Sequence, residues 1–363
     1  MSEPDTAARL VTADGVRTYV RGRLDHFETA GPPTRLPEGN LNVVWRVPGA
    51  ERSLILKYAP PYIAASPETP LDPSRLRIEA RCLRALGTGR HLHERTGTAV
   101  RPPKLRDQNL EVPVLLMEDI GPVPSWGRWL RATETPDLSR TAAAQGRRLG
   151  HFLGRLHATT HDDERCAAAF DNRPMQRTRL AVQYRGVTDM LAAAGVPDAE
   201  ALGRRAEALG QRLLGRGRCL TMGDLWPPSV LVTDEGLRII DWELAHYGRP
   251  LQDVAHWLSH LWMQTHRAPS AAVAEAAAEH RDSFLNGYIE VLGDREGELW
   301  DDAERRDATV HFGAEILVRA VGPFQDGYVY GGLGAEDPAV QDAVTTAARH
   351  LRAPEANGIV SRW

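Results

Sequence analysis

The chain of 363 residues has few of the features that mark secreted, membrane-spanning or nucleic-acid-binding proteins. Its three cysteines, Cys82, Cys166 and Cys219, form no CxxC pair, so neither a disulfide framework nor a cysteine zinc site is expected. No apolar run is long enough to cross a bilayer, and the acidic first residues lack the apolar core of a secretory signal. A net charge of −4 without a basic block argues against a nucleic-acid partner. We therefore expect a soluble, cytoplasmic protein that acts without nucleic acid or a membrane.

The chain also lacks internal repeats and low-complexity tracts, and its character changes once along its length. The first third has short apolar strands separated by turns, and the remainder consists mainly of segments with helical spacing. A Gly-Pro-rich stretch after residue 120 separates the two parts. This pattern predicts an α+β protein with two unequal lobes and a cleft between them. The predicted lobes are a small, β-rich one over 1–118 and a larger, mostly helical one over 125–363, joined by a crossover at 119–124.

Hydrophobic periodicity places the predicted elements. Helical spacing marks a leading helix over 6–24 and an amphipathic helix over 73–87 that a glycine closes. Short apolar runs predict strands over 43–47, 53–57, 98–108 and 112–119. In the second part the helical segments are 142–157, a long stretch 176–215, 252–265, 271–292, 300–321 and 338–352, interrupted by strands at 229–241.

Two charged residues of the first part are best explained as a pair. Lys57 ends an apolar strand, where a lysine by itself usually extends its amine to solvent. Glu79 lies on the apolar side of the following helix, where an unpaired carboxylate is costly. A Lys57–Glu79 ion pair removes that cost, and such a pair positions a lysine on the phosphates of a nucleotide.

A turn ahead of these strands carries Gly39, Asn40 and Asn42. Their backbone and side-chain N–H groups suit a flap over phosphates, but Gly-Asn is equally common in a plain hairpin turn. With one glycine, the turn matches neither a P-loop nor a complete GxGxxG motif. Both interpretations stay open at this point.

A loop ahead of the strands at 229–241 carries a second carboxylate. Asp224 follows Gly223 and precedes Trp226-Pro-Pro, so it does not lie within a helix. An aspartate in a loop is most often a cap or turn former. Here Ser229 follows five residues later, and further carboxylates lie at the end of the return strand, which makes Asp224 a candidate acceptor for a hydroxyl proton.

The return strand ends in two carboxylates, Asp241 and Glu243. In an extended segment they share one face while Trp242 points away. Two such carboxylates repel each other unless a cation lies between them. The pattern therefore predicts a Mg²⁺ site.

Histidines at helical spacing offer a different metal site, which the pattern does not favour. His256 and His260 lie four residues apart, with Asp253 one turn earlier. The HExxH pattern is not met because Trp257 occupies the glutamate position. The apolar neighbours predict packing or hydrogen-bonding residues of a buried helix, and no metal there.

Three segments resemble the methylthioribose kinase family, within the wider aminoglycoside phosphotransferase and choline kinase group of protein-kinase-like phosphotransferases. Glu38-Gly-Asn-Leu-Asn-Val-Val-Trp-Arg-Val is similar to that family's nucleotide flap. Leu54-Ile-Leu-Lys-Tyr-Ala-Pro-Pro-Tyr-Ile is similar to its lysine strand and Gly223-Asp-Leu-Trp-Pro-Pro-Ser-Val-Leu-Val to its catalytic loop. The likeness runs from about residue 10 to about residue 330.

The resemblance implies a protein-kinase-like bilobal fold and a phosphotransferase with an alcohol group as acceptor. It implies that Asp224 is the catalytic base and that Asp241 and Glu243 bind Mg²⁺, with Ser229 as a weaker ligand. ATP is the expected donor, with GTP or another nucleoside triphosphate as the alternative. A small hydroxylated molecule is the expected acceptor, and the chain is expected to be a monomer or a homodimer.

The resemblance also implies which residues contact the nucleotide and the acceptor. Lys57, held by Glu79, would contact the α- and β-phosphates. The other implied contacts are Gly39, Asn40 and Asn42 in the flap, Met117 and Glu118 in the hinge beside the adenine, and Trp226 and Arg319 on the acceptor side.

Two residues depart from the family pattern. Met222 stands where a histidine is usual before the catalytic aspartate, and Arg319, beside Val318, stands where the family has two adjacent arginines. The second departure makes another hydroxylated compound as good a candidate acceptor as a methylthioribose-like pentose. An antibiotic O-phosphotransferase, acting on an aminoglycoside or nucleoside, is the alternative, although the arginines of 140–215 disfavour a cationic acceptor. A nucleotide-binding pseudokinase is the weaker alternative, because the charged residues of the motifs are intact.

Overall fold

The computed structural model describes residues 10–37, 41–133 and 135–359. Its helices are α1 (Ala13–Arg23), α2 (Arg75–Ala85), α3 (His91–Thr96), α4 (Trp126–Ala132), α5 (Leu138–Thr160), α6 (Glu164–Ala169), α7 (Arg173–Arg179), α8 (Val187–Ala193), α9 (Ala199–Leu213), α10 (Leu251–His266), α11 (Ala271–Leu292), α12 (Glu296–Leu299), α13 (Asp302–Ala320) and α14 (Pro338–Arg352). Its strands are β1 (Thr34–Arg35), β2 (Val43–Val47), β3 (Leu54–Tyr58), β4 (Tyr62–Ile63), β5 (Ser66–Pro70), β6 (Val100–Arg101), β7 (Leu105–Asn109), β8 (Val114–Glu118), β9 (Cys219–Thr221), β10 (Val230–Thr233), β11 (Gly236–Ile239) and β12 (His246–Gly248). Within the described ranges, no helix has the length and apolar character needed to cross a membrane.

The chain divides into two compact units. Within the described residues, unit 1 comprises the chain up to Glu94, Arg101–Val123 and the short segment Arg238–Leu244, and unit 2 comprises the rest. The lobe boundaries expected at 118 and 125 stay a prediction. The segment Arg238–Leu244 brings Asp241 and Glu243 into the same unit as Lys57.

Unit 1 is built on an antiparallel sheet in the order β1-β2-β3-β8-β7. Alternate residues of β2 are buried, as expected for a strand with one face against a core. Val16 and Val20 of α1 belong to the same apolar cluster as the buried residues of β2. The register pairs Lys57 with Val44 of β2 and with Leu115 of β8, so the lysine lies on a central strand.

Unit 2 consists mainly of helices, and its two longest, α5 and α11, pack closely. Gly146, Gly150 and Gly154 lie one turn apart on α5 and face the backbone of α11. A Cβ atom at Gly150 would lie 2.2 Å from the carbonyl oxygen of Phe284, so this position requires glycine. The close contact fixes the position of α5, which carries His157 at its C-terminal end.

The predicted elements agree with the structure where the hydrophobic pattern is long and regular. Strand 43–47 and helices 271–292 and 338–352 have the predicted bounds. The stretch 176–215 differs, because it contains the end of α7, a π-helix over Leu180–Arg185, and then α8 and α9. A π-helix inserts an extra residue per turn, often at functional sites, and a helical pattern in sequence does not reveal it.

Candidate active site

Lys57 lies within a buried ionic cluster of unit 1. Its Nζ atom is 2.7 Å from Glu79 Oε2, 2.8 Å from Asp241 Oδ1 and 3.5 Å from Glu243 Oε1. Glu79 lies on the buried face of α2, as the apolar spacing of that helix predicts. The expected Lys57–Glu79 ion pair is therefore present, and the same lysine also contacts both carboxylates of the return strand.

One lysine shared by three carboxylates shifts the pKa values of the cluster. Burial lowers the pKa of Lys57. The carboxylates of Asp241, Glu243 and Glu79 raise it by more than burial lowers it, so the pKa lies well above the ordinary value. Burial raises the pKa of Glu79. Lys57 lowers this pKa, but Glu243 and Asp241 cancel part of that lowering, so the pKa of Glu79 is also raised. Lys57 thus stays charged, and the surplus of negative charge around it favours a further cation.

A second buried cation, Arg75, lies one turn before Glu79 on the same helix. Its Nε donates to Glu243 Oε2 at 2.8 Å, and its Nη1 donates to the carbonyl oxygen of Asp72 at 2.8 Å. Its Nη2 donates to Asn42 Oδ1 at 3.0 Å. The sequence analysis missed Arg75, although its i, i+4 spacing with Glu79 places both side chains on one helix face.

Arg75, Lys57 and Asn42 together occupy both oxygens of Glu243. Asn42 Nδ2 donates to Glu243 Oε1 at 2.7 Å, and Arg75 holds the other oxygen. The side chain of Glu243 is only 4% exposed, whereas that of Asp241 is 51% exposed. Of the two carboxylates predicted to bind Mg²⁺, Asp241 is therefore the accessible one.

The backbone around Asp241 differs from the expected extended segment. Asp241 has φ = 63°, a left-handed conformation that aspartate tolerates better than most residues. Trp242–Leu244 then form a 3-10 turn, in which the buried Trp242 donates its indole N–H to the carbonyl oxygen of Ile239 at 2.8 Å. The prediction that Asp241 and Glu243 share one face of a strand is wrong, because the chain turns at Asp241 before the second carboxylate is reached.

We expect Arg75→Met to lower the free energy of unfolding by about 3–5 kcal/mol, because it leaves the buried carboxylate of Glu243 without its main partner. Urea unfolding of the variant and the parent protein measures the difference. Arg46→Met is the matched control, since the Arg46–Asp119 ion pair is 2.7 Å long, close to the 2.8 Å of Arg75–Glu243, but one-third exposed on the arginine side, and a change below about 1 kcal/mol is expected. Equal losses in the two variants would contradict a special role for Arg75.

The backbone of the loop that carries Asp224 is hydrogen-bonded to a side chain of α10. Asp253 of this helix accepts the backbone N–H of Met222 at 2.9 Å and that of Gly223 at 2.8 Å. His157 lies 3.2 Å from the same carboxylate. Gly223 has φ = 81°, which a residue with a side chain rarely adopts. These contacts fix the backbone of the loop and leave Met222 as an apolar packing residue, 1% exposed.

Asp224 has cationic and imidazole groups around its carboxylate. Arg179 Nη2 donates to Asp224 Oδ1 at 2.8 Å, and His256 Nε2 lies 3.3 Å from the same oxygen. Burial raises the pKa of Asp224, but contact with His256 and the charges of Arg179 and Arg319 outweigh it and lower the pKa to about 2. Asp224 is therefore ionised at neutral pH, with one oxygen occupied by protein groups.

The sequence analysis missed Arg179 as a partner of Asp224. This residue ends α7 directly before the π-helix, and its guanidinium also donates to the carbonyl oxygen of Gly223. Arg179 lies 45 residues before Asp224, in a mostly helical part of the chain. An arginine in such a region is most often a solvated surface residue. No local pattern singles it out.

Two residues predicted on the acceptor side, Trp226 and Arg319, are in contact. The Arg319 guanidinium carbon lies 4.3 Å from the centroid of the Trp226 ring, a cation–π arrangement. Arg319 Nε donates to Glu315 Oε1 at 2.8 Å. Phe324 and Tyr328 surround the same guanidinium at 5.2 Å and 5.6 Å. The cluster combines one cation with three aromatic rings, of which Trp226 lies two residues after Asp224.

The remaining predicted site residues have other partners or lie outside the described chain. The hydroxyl of Ser229 is buried in the turn after Asp224 and donates to the carbonyl oxygen of Trp226 at 2.9 Å. Met117 and Glu118 lie inside β8, between β3 and β7, and Glu118 forms an ion pair with Arg101 at 2.7 Å. Gly39 and Asn40 lie outside the described residues. The roles of these five residues stay predictions.

Three buried groups, His256, His260 and Glu315, lie close enough to bind a metal ion together, with ligand atoms within 4.8 Å of one another. Arg319 already forms a 2.8 Å ion pair with Glu315, so the carboxylate is neutralised without a metal. His260 also contacts Tyr328 OH at 2.7 Å. These contacts agree better with a hydrogen-bonded core than with a metal centre.

The sequence of residues 33–289 matches the model of the phosphotransferase enzyme family. The chain belongs to this family. Among its relatives, a 4-hydroxytryptamine kinase of Psilocybe cyanescens is 25% identical over 263 residues, which cover 69% of this chain and 72% of the relative. A methylthioribose kinase of Pectobacterium atrosepticum is 26% identical over 302 residues, which cover 76% of this chain and 72% of the relative.

Solved structures share the fold at lower identity. A choline/ethanolamine kinase family protein from Mesorhizobium loti superposes with a TM-score of 0.54 at 15% identity, over 96% of this chain and 97% of that one. Choline kinase LicA from Streptococcus pneumoniae gives a TM-score of 0.51 at 14% identity, over 93% and 98%. The predicted protein-kinase-like α+β fold is confirmed, and with the family it identifies this phosphotransferase as a small-molecule kinase.

Proposed function

We propose that this phosphotransferase transfers the γ-phosphate of ATP to a hydroxyl of a small acceptor that is not a polycation, for which a methylthioribose-like pentose is the first candidate. The environment of Asp224 is the observation that supports this most. Its carboxylate is ionised, is fixed by Arg179 and follows a glycine-based turn, as a group that orients and deprotonates a hydroxyl requires.

The ionic cluster of unit 1 supports nucleotide binding. Lys57 is buried, charged and held by Glu79, so its ammonium group is oriented before a phosphate binds. We propose that Lys57 binds the α- and β-phosphates and that Asn42 lies in the adjoining flap, where Arg75 and Glu243 fix its side chain. ATP is the proposed donor, with another nucleoside triphosphate as the alternative.

The same cluster suits a magnesium ion. Mg²⁺ is usually bound by one or two carboxylates together with substrate phosphates, and Asp241 offers an accessible carboxylate in a cluster with surplus negative charge. We propose Asp241 as the principal ligand and Glu243, which Arg75 holds in place, as a residue that positions it through their shared contact with Lys57. When bound, the ion would neutralise phosphate charge that develops during transfer.

In this proposal the main residues of the site have separate roles. Lys57 orients the phosphates, and Asp224 orients the acceptor hydroxyl and accepts its proton on the oxygen that Arg179 leaves free. Asp253 holds the backbone of the Asp224 loop. The chain's contribution is therefore mostly positioning and electrostatics, as expected for phosphoryl transfer.

The charges near Asp224 narrow the class of acceptor. Arg179 and Arg319 both lower the pKa of Asp224, and each forms an ion pair with one carboxylate, Asp224 or Glu315, so these groups offer no surplus of negative charge to bind a polycationic aminoglycoside. The rings of Trp226, Tyr328 and Phe324 offer a face for a planar or apolar group. These rings favour a phenol such as 4-hydroxytryptamine as the second candidate acceptor.

Acceptor-dependent release of ADP over a panel of compounds tests the proposal. The panel contains methylthioribose, 4-hydroxytryptamine, choline, an aminoglycoside and a nucleoside antibiotic, each with ATP and Mg²⁺. We expect turnover with the sugar or the phenol and none with the aminoglycoside. Turnover with the aminoglycoside alone would overturn the proposed acceptor class, and ATP binding without turnover on any compound would favour the pseudokinase.

The two carboxylates of the cluster should respond differently to substitution. We expect Asp241→Asn to raise the Mg²⁺ concentration needed for half-maximal activity by about tenfold or more, since a direct ligand is lost. Glu243→Gln should leave that concentration nearly unchanged and lower the free energy of unfolding instead, because Arg75 loses its charged partner. Titration of the activity with Mg²⁺ and urea unfolding, both carried out on each variant, separate the two roles. A larger effect of Glu243→Gln on the Mg²⁺ requirement would show that Glu243, and not Asp241, is the principal ligand.

A further inference from the structure

Behind Asp224 lies a chain of buried aromatic groups that the proposed function does not use. His256 Nε2 is 3.3 Å from Asp224 Oδ1, and His256 Nδ1 is 3.2 Å from His311 Nε2. His311 Nδ1 is in turn 2.6 Å from the hydroxyl of Tyr184. The two histidines are fully buried, and Tyr184 is 1% exposed. Four side chains from four separate segments thus form one line that ends at the carboxylate.

The carboxylate end of this line places one hydrogen. Asp224 is ionised, so its oxygen only accepts, and the hydrogen in the 3.3 Å contact lies on His256 Nε2. The hydrogen between His256 Nδ1 and His311 Nε2 lies on one of the two rings, and His311 Nδ1 takes the complementary role towards the hydroxyl of Tyr184.

The surroundings keep His311 and Tyr184 uncharged. Burial, together with the neighbouring histidine and Arg179, lowers the pKa of His311, and burial raises the pKa of Tyr184, so the imidazole stays neutral and the phenol keeps its hydrogen. The other charged or titratable groups facing His256 are Glu315, 3.7 Å from Nδ1, and His260, whose ring centroid is 4.9 Å away.

The charge of Glu315 is taken up by other groups. Arg319 donates to its Oε1 at 2.8 Å and Gln183 donates to its Oε2 at 2.6 Å. The remaining neighbour, His260, has a lowered pKa of about 3 because of its burial. The carboxylate of Glu315 is therefore already bound by other groups where it faces His256. The shorter contacts of His256 are those to Asp224 and His311.

We propose that the His256–His311–Tyr184 chain fixes the carboxylate plane of Asp224, so that one oxygen is held by the protein and the other is presented to the acceptor hydroxyl. This inference rests on the proposed role of Asp224. His256 acts as a positioning residue, and His311 and Tyr184 fix its ring orientation. Met222, two residues before Asp224, is a buried apolar residue, and the imidazole next to Asp224 comes from α10.

Kinetics of three variants test the chain. His256→Leu removes the donor to Asp224 and should lower kcat by about 100-fold, the cost of a misplaced reacting group, with the KM for nucleotide unchanged. His256→Gln keeps an N–H donor and should recover most of that loss. Tyr184→Phe removes only the last hydrogen bond and should lower kcat by about fivefold.

His280→Leu is the matched control for removal of a buried imidazole. His280 is fully buried between Trp126 and Trp257, with ring centroids 4.4 Å and 5.5 Å away, and has no contact with Asp224. We expect its kcat to equal that of the parent protein. An unchanged kcat for His256→Leu, or an equal loss for His256→Leu and His256→Gln, would overturn the positioning role.

Nitrogen NMR of protein labelled in its histidines tests the same inference without a substitution or an acceptor. We expect a hydrogen on Nε2 of His256 and a neutral ring at His311. A His256 ring that carries its hydrogen on Nδ1 alone would overturn the contact with Asp224, and one zinc ion per chain in the purified protein would show that His256 and His260 are metal ligands instead. If no acceptor supports turnover while the Nε2 hydrogen of His256 is found, the proposed function fails and the chain of contacts stands.

Discussion

Asp224→Asn should lower kcat by about 10³-fold while leaving nucleotide binding intact. The amide has nearly the same shape as the carboxylate but does not accept the acceptor's proton, and general bases contribute about 10²–10⁴-fold to rates. With its amide oxygen against the donor Arg179, the asparagine would direct its NH₂ group, which only donates, towards the acceptor hydroxyl. Steady-state kinetics with saturating ATP and the best acceptor of the panel measure the loss.

The matched control is Asp234→Asn in the turn between β10 and β11, where the aspartate is exposed. Its kcat should be that of the parent protein. If Asp224→Asn keeps more than a tenth of the parental kcat, Asp224 is not the base. If it loses ATP binding as well, measured by calorimetry, its role is structural.

The same variant should also show a pH-dependent loss of stability. The folded-state pKa of Asp224, about 2, lies below the value of about 4 in an unfolded chain, so its ionised form stabilises the fold at neutral pH by about 2 kcal/mol. This contribution is complete above pH 4 and is lost as the pH falls towards 2. The difference in urea unfolding between the parent and Asp224→Asn should follow that course, and a pH-independent difference would exclude the charge as its cause.

Lys57→Met should remove both activity and a large part of the stability of unit 1. Without the lysine, the carboxylates of Glu79, Asp241 and Glu243 face one another, and removing one partner of a buried pair costs about 3–5 kcal/mol. Loss of the group proposed to orient the phosphates should lower kcat/KM for ATP by about 10²–10³-fold. Urea unfolding and initial rates over a range of ATP concentrations measure the two effects.

A double substitution separates the structural role of Lys57 from its proposed role on phosphates. Lys57→Met with Glu79→Leu replaces the buried ion pair by two apolar side chains and should recover much of the stability, but not the activity. Lys104→Met, at an exposed position, is the control and should change neither quantity. Recovery of activity in the double variant would show that Lys57 serves the fold alone.

The features that the sequence predicts well are local in the chain. The strand of Lys57 and the helix of Glu79 follow from short apolar patterns, and their ion pair follows from the cost of burying either charge alone. Trp226 and Arg319 were both expected on the acceptor side, but only from the resemblance to a family, and their contact with each other was not predicted.

The features that the sequence does not predict depend on residues far apart in the chain or on local backbone geometry. Arg179 reaches Asp224 from a helix 45 residues earlier. His256 and His311 are 55 residues apart, and their helical patterns are those of packing residues. At Asp241 a strand pattern runs directly into a left-handed residue, which periodicity does not reveal.

Transfer of a labelled γ-phosphate tests the central claim most directly. ATP carrying the label is incubated with the parent protein, with Asp224→Asn and with each acceptor of the panel, and the products are separated by mass. The account predicts one labelled phosphoryl group on the hydroxyl of the sugar or the phenol with the parent protein, and none above background with Asp224→Asn. Label found only in ATP and free phosphate for every acceptor, or equal transfer by Asp224→Asn, would contradict it.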